Sequence, residues 1–248
     1  MKHILIVGRP GSGKTTLIKR LSQALRAHAI EGFFTEEHRE GGQRLGFWLS
    51  CLDGRQMLLA HRHRVEGPRV GPYHVNVSIL EDTAIPLLQR GVKMAALILL
   101  DELGRMELMS QKLEQAVLEA FDKGPSIVAT ASVAPLPFLV ALKHRRDVEL
   151  IPLTTSNYKV VEEELIARLE AFCNEDEEVR RLGRMADRIS EMIVSGDVPH
   201  IDIEIKQEAL RQEVARIFPD KEALYHLIYE TRFRRLWQQF RQEDERAT

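Results

Sequence analysis

The run Gly8-Arg9-Pro10-Gly11-Ser12-Gly13-Lys14-Thr15 has the spacing G-x-x-x-x-G-K-[ST]. Glycines at these positions let backbone N–H groups turn inward around an anion, a conformation that side chains obstruct. A helix starting at Lys14 adds a partial positive charge of about 0.5 at its N-terminus. The chemistry such a loop suits is the binding of a row of phosphates. Lys14 is expected to reach the β- and γ-phosphates, the Thr15 hydroxyl to ligate Mg²⁺, and Thr16 to add a further phosphate contact. A glycine-rich turn without a ligand is the plain alternative, but strand, helix, Lys and Thr all stand in register here.

A phosphate loop of this kind needs an acidic partner on a neighbouring strand, and Ala95-Ala96-Leu97-Ile98-Leu99-Leu100-Asp101-Glu102 supplies one. The apolar strand delivers Asp101 to the carboxyl edge of a sheet, where ligands bind in open α/β folds. Asp101 is expected in the Mg²⁺ shell, directly or through water. Glu102 is placed to orient an attacking water or to accept its proton. A solvated carboxylate at a strand end is the alternative reading of Glu102.

These residues have to be positioned by elements, and the pattern supplies them. His3 to Gly8 reads as a buried strand. Leu17, Ile18, Leu21, Ala24 and Leu25 recur at helical spacing after Lys14. Strands are expected over 31–37, 45–52, 57–60, 73–77, 95–100, 127–130 and 148–153, with hairpin signals at Gly41-Gly42 and Asp53-Gly54. Helices are expected over 81–90, 111–122, 138–144 and 160–172. Alternation of this kind marks a parallel sheet covered by helices, with residues 31–77 as antiparallel hairpins inserted into it or edging it. Beyond Asn174 a helical stripe runs from Val179 to Ile193 and stops at Ser195-Gly196. A helix over 207–218 follows and ends at Pro219. A last helix, N-capped by Asp220, carries Tyr225, Tyr229, Phe233, Trp237 and Phe240. That stripe is read as a packing face, with a partner or dimer surface as the alternative.

Composition bounds the rest. The 248 residues carry 35 Lys and Arg against 37 Asp and Glu, a net charge of −2, with 44% apolar and 29% charged side chains. A chain of that length and composition can bury a proper core and is not a disordered protein. Its longest apolar run, Met94 to Leu100, is far shorter than the ~20 residues a membrane helix needs. The N-terminal apolar stretch is too short for a signal peptide, so a soluble, cytoplasmic protein is expected. Cys51 and Cys173 lack C-x-x-C spacing, which excludes a zinc ribbon and argues against a disulfide framework. Residues 1–173 hold 22 basic and 20 acidic side chains, and residues 174–248 hold 13 and 17. Two domains are therefore expected, 1–173 and 174–248. Although Arg232, Arg234, Arg235 and Arg241 cluster, their segment is net acidic, so a solvated face is expected and nucleic acid is not.

Three stretches besides the phosphate loop are similar to one family. They are Gly32-Phe33-Phe34-Thr35-Glu36-Glu37 continuing to Phe47, Gly67-Pro68-Arg69-Val70-Gly71-Pro72 continuing to Val77, and Asp101-Glu102-Leu103-Gly104-Arg105-Met106-Glu107-Leu108. Together with the phosphate loop they resemble, in order, the nucleoside-triphosphatases first known from thermophiles, also called cancer-related NTPases. The resemblance covers about residues 1–170 and leaves the tail out. It implies a P-loop domain that hydrolyses nucleoside triphosphates slowly, with Mg²⁺ and broad base tolerance. Two departures stand out. Arg105 replaces the family's usual Lys and keeps a permanent charge able to stabilise developing negative charge on the phosphate. Ser156-Asn157-Tyr158 stands where the family often has Asn-Arg, so base contacts cannot be borrowed, although Tyr158 offers a ring for stacking.

Thr35, Glu36, Glu37 and Arg39 end a strand facing the nucleotide edge, with Glu36 or Glu37 either taking a role there or making a turn-stabilising ion pair with Arg39 or Arg44. Lys143-His144-Arg145-Arg146 is a candidate phosphate-clamping lid, but basic residues at a helix C-terminus also complement the helix dipole. His61 and His63 have no ligand spacing worth a metal site. Glu107 is a candidate cap for the loop after Glu102. The expected architecture is thus a three-layer α/β P-loop domain with a mainly parallel sheet and inserted β-hairpins, plus a C-terminal α-helical appendage. The expected function is Mg²⁺-dependent hydrolysis of nucleoside triphosphates. A nucleotide or small-molecule kinase, and an NTP-dependent switch or adaptor using the tail as a homo-oligomer or protein-partner surface, are the alternatives.

Overall fold

A computed structural model describes residues 1–219 and 222–241. The chain divides into two compact units, Met1–Asn174 and Glu175 onward.

The first unit is built on a nine-stranded sheet in the order β5-β6-β4-β3-β2-β7-β8-β1-β9. Its strands are β1 (His3–Val7), β2 (Ile30–Glu40), β3 (Gln43–Cys51), β4 (Gln56–His61), β5 (Arg69–Val70), β6 (Tyr73–Val75), β7 (Leu97–Leu103), β8 (Ser126–Ala131) and β9 (Val148–Pro152). Strands β2, β7, β8, β1 and β9 run parallel to one another. Strands β3 to β6 continue antiparallel from β2, so the hairpins edge the parallel core rather than interrupt it. The helices are α1 (Lys14–Ala24), α2 (Val77–Ile79), α3 (Ile85–Met94), α4 (Gln111–Lys123), α5 (Pro137–Lys143) and the start of α6 (Tyr158–Ser195).

Alternation along the strands feeds two cores, one on each face. Leu5, Ile98 and Leu100 pack with Leu87 and Leu88 of α3, Leu113 and Val117 of α4, and Leu139 and Leu142 of α5. Ile4, Ile6, Leu97 and Leu99 pack with Leu17, Ile18 and Leu21 of α1 and with Val161, Leu165 and Leu169 of α6. The unit is therefore three-layered.

Three local expectations change. The strand over 73–77 stops at Val75, and the chain enters α2, a π-helical turn at Leu80–Ala84, and then α3. The cause is that Leu80, Ala84, Leu87 and Leu88 all bury at helical spacing. The short strand β5 was not foreseen, because two residues leave no periodicity to read. The third change is that α6 is one helix of 38 residues through the acidic stretch after Asn174. No Gly or Pro interrupts residues 174–182, and the Arg180–Asp176 and Arg181–Glu178 pairs at helical spacing support continuation. The helix does end at Ser195, before Gly196 at φ 79°.

The second unit holds the rest of α6, then α7 (His200–Ile217), α8 (Glu222–Leu224), a π-helical turn at Tyr225–Glu230 and α9 (Thr231–Phe240). The expected cap Asp220 lies outside the described residues. Leu182, Ala186, Ile189, Ile193, Ile203, Leu210 and Val214 form its core with Tyr225 and Phe233. Tyr229 and Trp237 pack against that core, whereas Phe240 stays exposed. Arg232 pairs with Asp187 and Arg234 with Glu230. Arg241, expected on a solvated face, instead donates to the carbonyls of Met192, Ile193 and Val198. Among the described residues no helix is long and apolar enough to cross a membrane.

Candidate active site

The loop from Gly8 to Gly13 links the buried strand β1 to α1 at the carboxyl edge of the sheet. A Cβ on Gly8 would sit 2.3 Å from Ser12 Oγ and 2.8 Å from the Leu153 carbonyl oxygen, so only glycine fits. Gly13 caps α1 in the left-handed region at φ 95°, and a side chain there would also meet the Tyr158 ring at 2.9 Å. The first hydrogen bond of the helix runs from the Leu17 N–H to the Gly13 carbonyl. The N–H groups of Lys14, Thr15 and Thr16 therefore have no acceptor among the described residues, which is the geometry of an anion site. Lys14 is 5% exposed, and its ammonium donates to the Gly8 carbonyl at 3.1 Å while standing 3.5 Å from Glu102 Oε2.

Asp101 reaches the same point from β7. The pairing of β7 with β8 shifts register between Leu100 and Leu103, and such a bulge re-aims the side chains it contains. Asp101 is fully buried; its Oδ1 accepts from the Thr130 hydroxyl on β8, while Oδ2 has no hydrogen-bond partner. Burial away from water pushes its pKa up to about 6, against the pull of Thr130, Thr15 and Lys14. A buried carboxylate oxygen left unpaired beside the Thr15 hydroxyl is what a hard divalent cation satisfies. Mg²⁺ binds through few protein oxygens, completing its shell with phosphate and water. Thr15 and Asp101 fit that role. Among the described residues no three His, Cys, Asp or Glu gather into an all-protein metal site.

These groups line one cleft of about 750 Å³, walled by Pro10, Gly11, Gly13, Lys14, Thr15 and Thr16 on one side and by Asp101, Glu102 and Arg105 on another. Gly8, Arg9 and Ser12 belong to the loop but do not face the cleft. The Gly8 carbonyl holds Lys14 from behind, and Ser12 is buried. Arg105 is exposed at the rim and makes no ion pair among the described residues.

The far wall, from β2 and β3, divides the residues read as one group. Glu37 pairs with both Arg39 and Arg44 at 2.6 Å, which bears out the ion-pair reading for that residue. Glu36 pairs with Lys19 and accepts from Ser50 Oγ at 2.5 Å; neither arginine is its partner. The bonds from Lys19 and Ser50 hold its pKa down against the desolvation that would raise it. Lys19 and Phe47 line the cleft and were missed. One turn beyond Thr16, Lys19 carried a readable signal, a second lysine on the helix face that starts at the phosphate loop. Glu107 also lines the cleft, almost wholly withdrawn from water, with its pKa raised to about 7 chiefly by burial.

Other candidates stand elsewhere. Lys143 donates to the Ser132 carbonyl, Arg145 pairs with Asp147 and Asp122, and none of residues 143–146 faces the cleft. The proposed lid is therefore a helix terminus. The Tyr158 ring lies against Gly13 with its hydroxyl buried, and it is not among the residues lining the cleft.

A mainly parallel three-layer sheet with a phosphate loop, an acidic strand end and a cleft between them defines a P-loop nucleotide-binding protein. The NTPase family model matches residues 3–166, and the chain belongs to that family. It is 41% identical over 167 residues to the nucleoside-triphosphatase THEP1 of Thermotoga sp. strain RQ2, covering 67% of this chain and 95% of that one. It is 35% identical to the human cancer-related nucleoside-triphosphatase, covering 63% of this chain and 90% of the human protein. The crystal structure of THEP1 from the hyperthermophile Aquifex aeolicus superposes with a TM-score of 0.62 at 34% identity, over 68% of this chain and 99% of that chain.

Proposed function

We propose that this protein hydrolyses nucleoside 5′-triphosphates to the diphosphate and phosphate, using Mg²⁺, with the chemistry carried by residues 1–173. The observation that carries the reading is the convergence of Lys14, Glu102 and the half-paired, buried Asp101 at the free N–H groups of α1. The N–H groups of 14–16 and the Lys14 ammonium bind the phosphates, and Lys14 exchanges its Glu102 contact for the γ-phosphate. Thr15 and Asp101 hold the metal, which when bound neutralises charge on the phosphate oxygens. Glu102, freed from Lys14, orients a water and takes its proton. Arg105 reaches in from the rim to meet the developing charge. Family membership supports the reaction, and the geometry supports the roles.

Phosphate release from ATP, GTP, CTP and UTP with Mg²⁺ tests it. Steady release is expected without any acceptor, and Glu102→Gln should cut kcat by about 10³-fold while leaving ATP binding intact. Undiminished release from that variant would refute the assigned role. Release that needs an added nucleotide acceptor would make the protein a kinase.

A further inference from the structure

Glu107 is the buried group that the scheme above leaves without work. It begins the short 3₁₀ turn Glu107–Met109, is 4% exposed, and faces the cleft. Burying a carboxyl group is unfavourable unless its lone pairs find donors. Here one oxygen accepts from the Gly104 N–H and the other from the Thr35 hydroxyl, each at 3.1 Å. The first bond closes the loop that follows Glu102. The second crosses to Thr35 on the neighbouring strand β2, 72 residues away in sequence. Gly104 itself lies between the two side chains: a Cβ there would be 3.2 Å from Glu107 Oε2 and 3.7 Å from Glu102 Cγ.

The need for such a tie follows from Lys14. Among the described residues Lys14 is the one ion-pair partner of Glu102, and Lys14 is also the group that phosphate draws away. Once that contact is exchanged, the direction of Glu102 depends on its own backbone. We propose that Glu107, by joining the Gly104 N–H to the Thr35 hydroxyl, holds the Glu102–Arg105 loop at its working distance from the phosphate, and is thus a positioning residue for hydrolysis. This inference rests on the hydrolytic reading. It assigns Thr35 a share of the same task, and it requires hydrogen-bonding capacity at position 107 rather than charge.

Glutamine keeps that capacity, since its carbonyl can accept from Gly104 and its amide can donate to Thr35 Oγ1. The test is steady-state phosphate release from Mg²⁺–ATP, with ATP affinity measured separately, for Glu107→Gln, Glu107→Ala and Thr35→Val. Misplacing a reacting group by ~1 Å can cost about 10²-fold in rate. Glu107→Ala should therefore lose about 30- to 100-fold in kcat, with KM and ATP affinity within about 3-fold of wild type. Thr35→Val should lose about 5- to 10-fold in kcat, and Glu107→Gln should stay within about 3-fold of wild type. If Glu107→Ala does not fold, the contrast between Glu107→Gln and Thr35→Val still decides. Equal damage from Gln and Ala would show that the charge is required and overturn the positioning role. So would an unchanged kcat in Glu107→Ala, or parallel losses of kcat and ATP affinity. If the wild type hydrolyses and Glu102→Gln stops it, these failures sink the Glu107 role alone; a wild type without hydrolysis sinks both readings.

Discussion

In the first unit, Lys14, Asp101 and Glu107 are almost wholly withdrawn from water, whereas the only buried polar side chain among the described residues of the second unit is Ser190, bonded to the Ala186 carbonyl one turn back. The second unit keeps its charges at the surface, in pairs such as Arg180–Asp176, Arg181–Glu213 and Arg234–Glu230. Buried charge is unfavourable for folding unless fully paired, and exposed pairs contribute little either way. Charges that persist in the interior of the first unit, with Asp101 Oδ2 left unpaired, thus point to a ligand that completes them. Among the described residues of the second unit no charged side chain is buried, and the family match ends before that unit, at residue 166.

Three experiments would break or sharpen that contrast. The largest effect is expected from Lys14→Met, which keeps a long apolar stem and removes the buried ammonium. Its kcat/KM for phosphate release should fall by about 10²- to 10³-fold, while its thermal midpoint stays level or rises. A large loss of stability would mean that Lys14 is a structural group and the contrast is misdrawn.

A smaller effect is expected from pH. The Glu107 pKa stands near 7 in the fold against an ordinary value of 4.5, so the folded protein holds a proton that the unfolded chain has lost between those values. Its contribution to stability is therefore lost as pH rises from about 4.5 to about 7, and is level above that. Thr35 and the Gly104 N–H face the carboxyl group, and Glu102 adds like charge. Asp101, also raised, titrates in the same direction and is common to both proteins compared. Glu107→Gln should gain on wild type by on the order of 1–3 kcal/mol between pH 5 and pH 8 in denaturant titrations. Parallel pH profiles would show that Glu107 is ionised as freely as an exposed carboxylate.

The smallest effect belongs to the second unit. Arg181→Ala removes contacts to Glu178 and Glu213, yet the thermal midpoint should move by only about 1–2 °C, and not at all in 1 M salt. A larger, salt-resistant shift would mean that this surface network behaves like the buried one.

Much of the site was legible because its parts are local. The eight residues from Gly8 to Thr15 carry their meaning in spacing alone, and an apolar run ending in Asp101-Glu102 announces a sheet edge. The hairpins were readable from Gly41-Gly42 and Asp53-Gly54, and the tail's core from the spacing of Leu182, Ile189 and Ile193. What could not be read depends on pairs distant in sequence. Thr130 meets Asp101 only because β8 lies beside β7, and Thr35 meets Glu107 only because β2 does. Lys19 finds Glu36 across the cleft, where sequence proximity had suggested Arg39 or Arg44.

The helix α6 shows the same division from the other side. Its acidic stretch after Asn174 looks like a break by composition, but Glu and Arg are good helix formers, and the helix runs on through them and through Gly183. The sequence by itself determined the family, the phosphate loop, the acidic strand end and the alternation that builds two cores, all properties of neighbours along the chain. Tertiary structure decided which carboxyl groups lose water, which hydroxyls satisfy them and which basic residues face the cleft. Burial and desolvation depend on what packs from distant segments, and no local spacing encodes that.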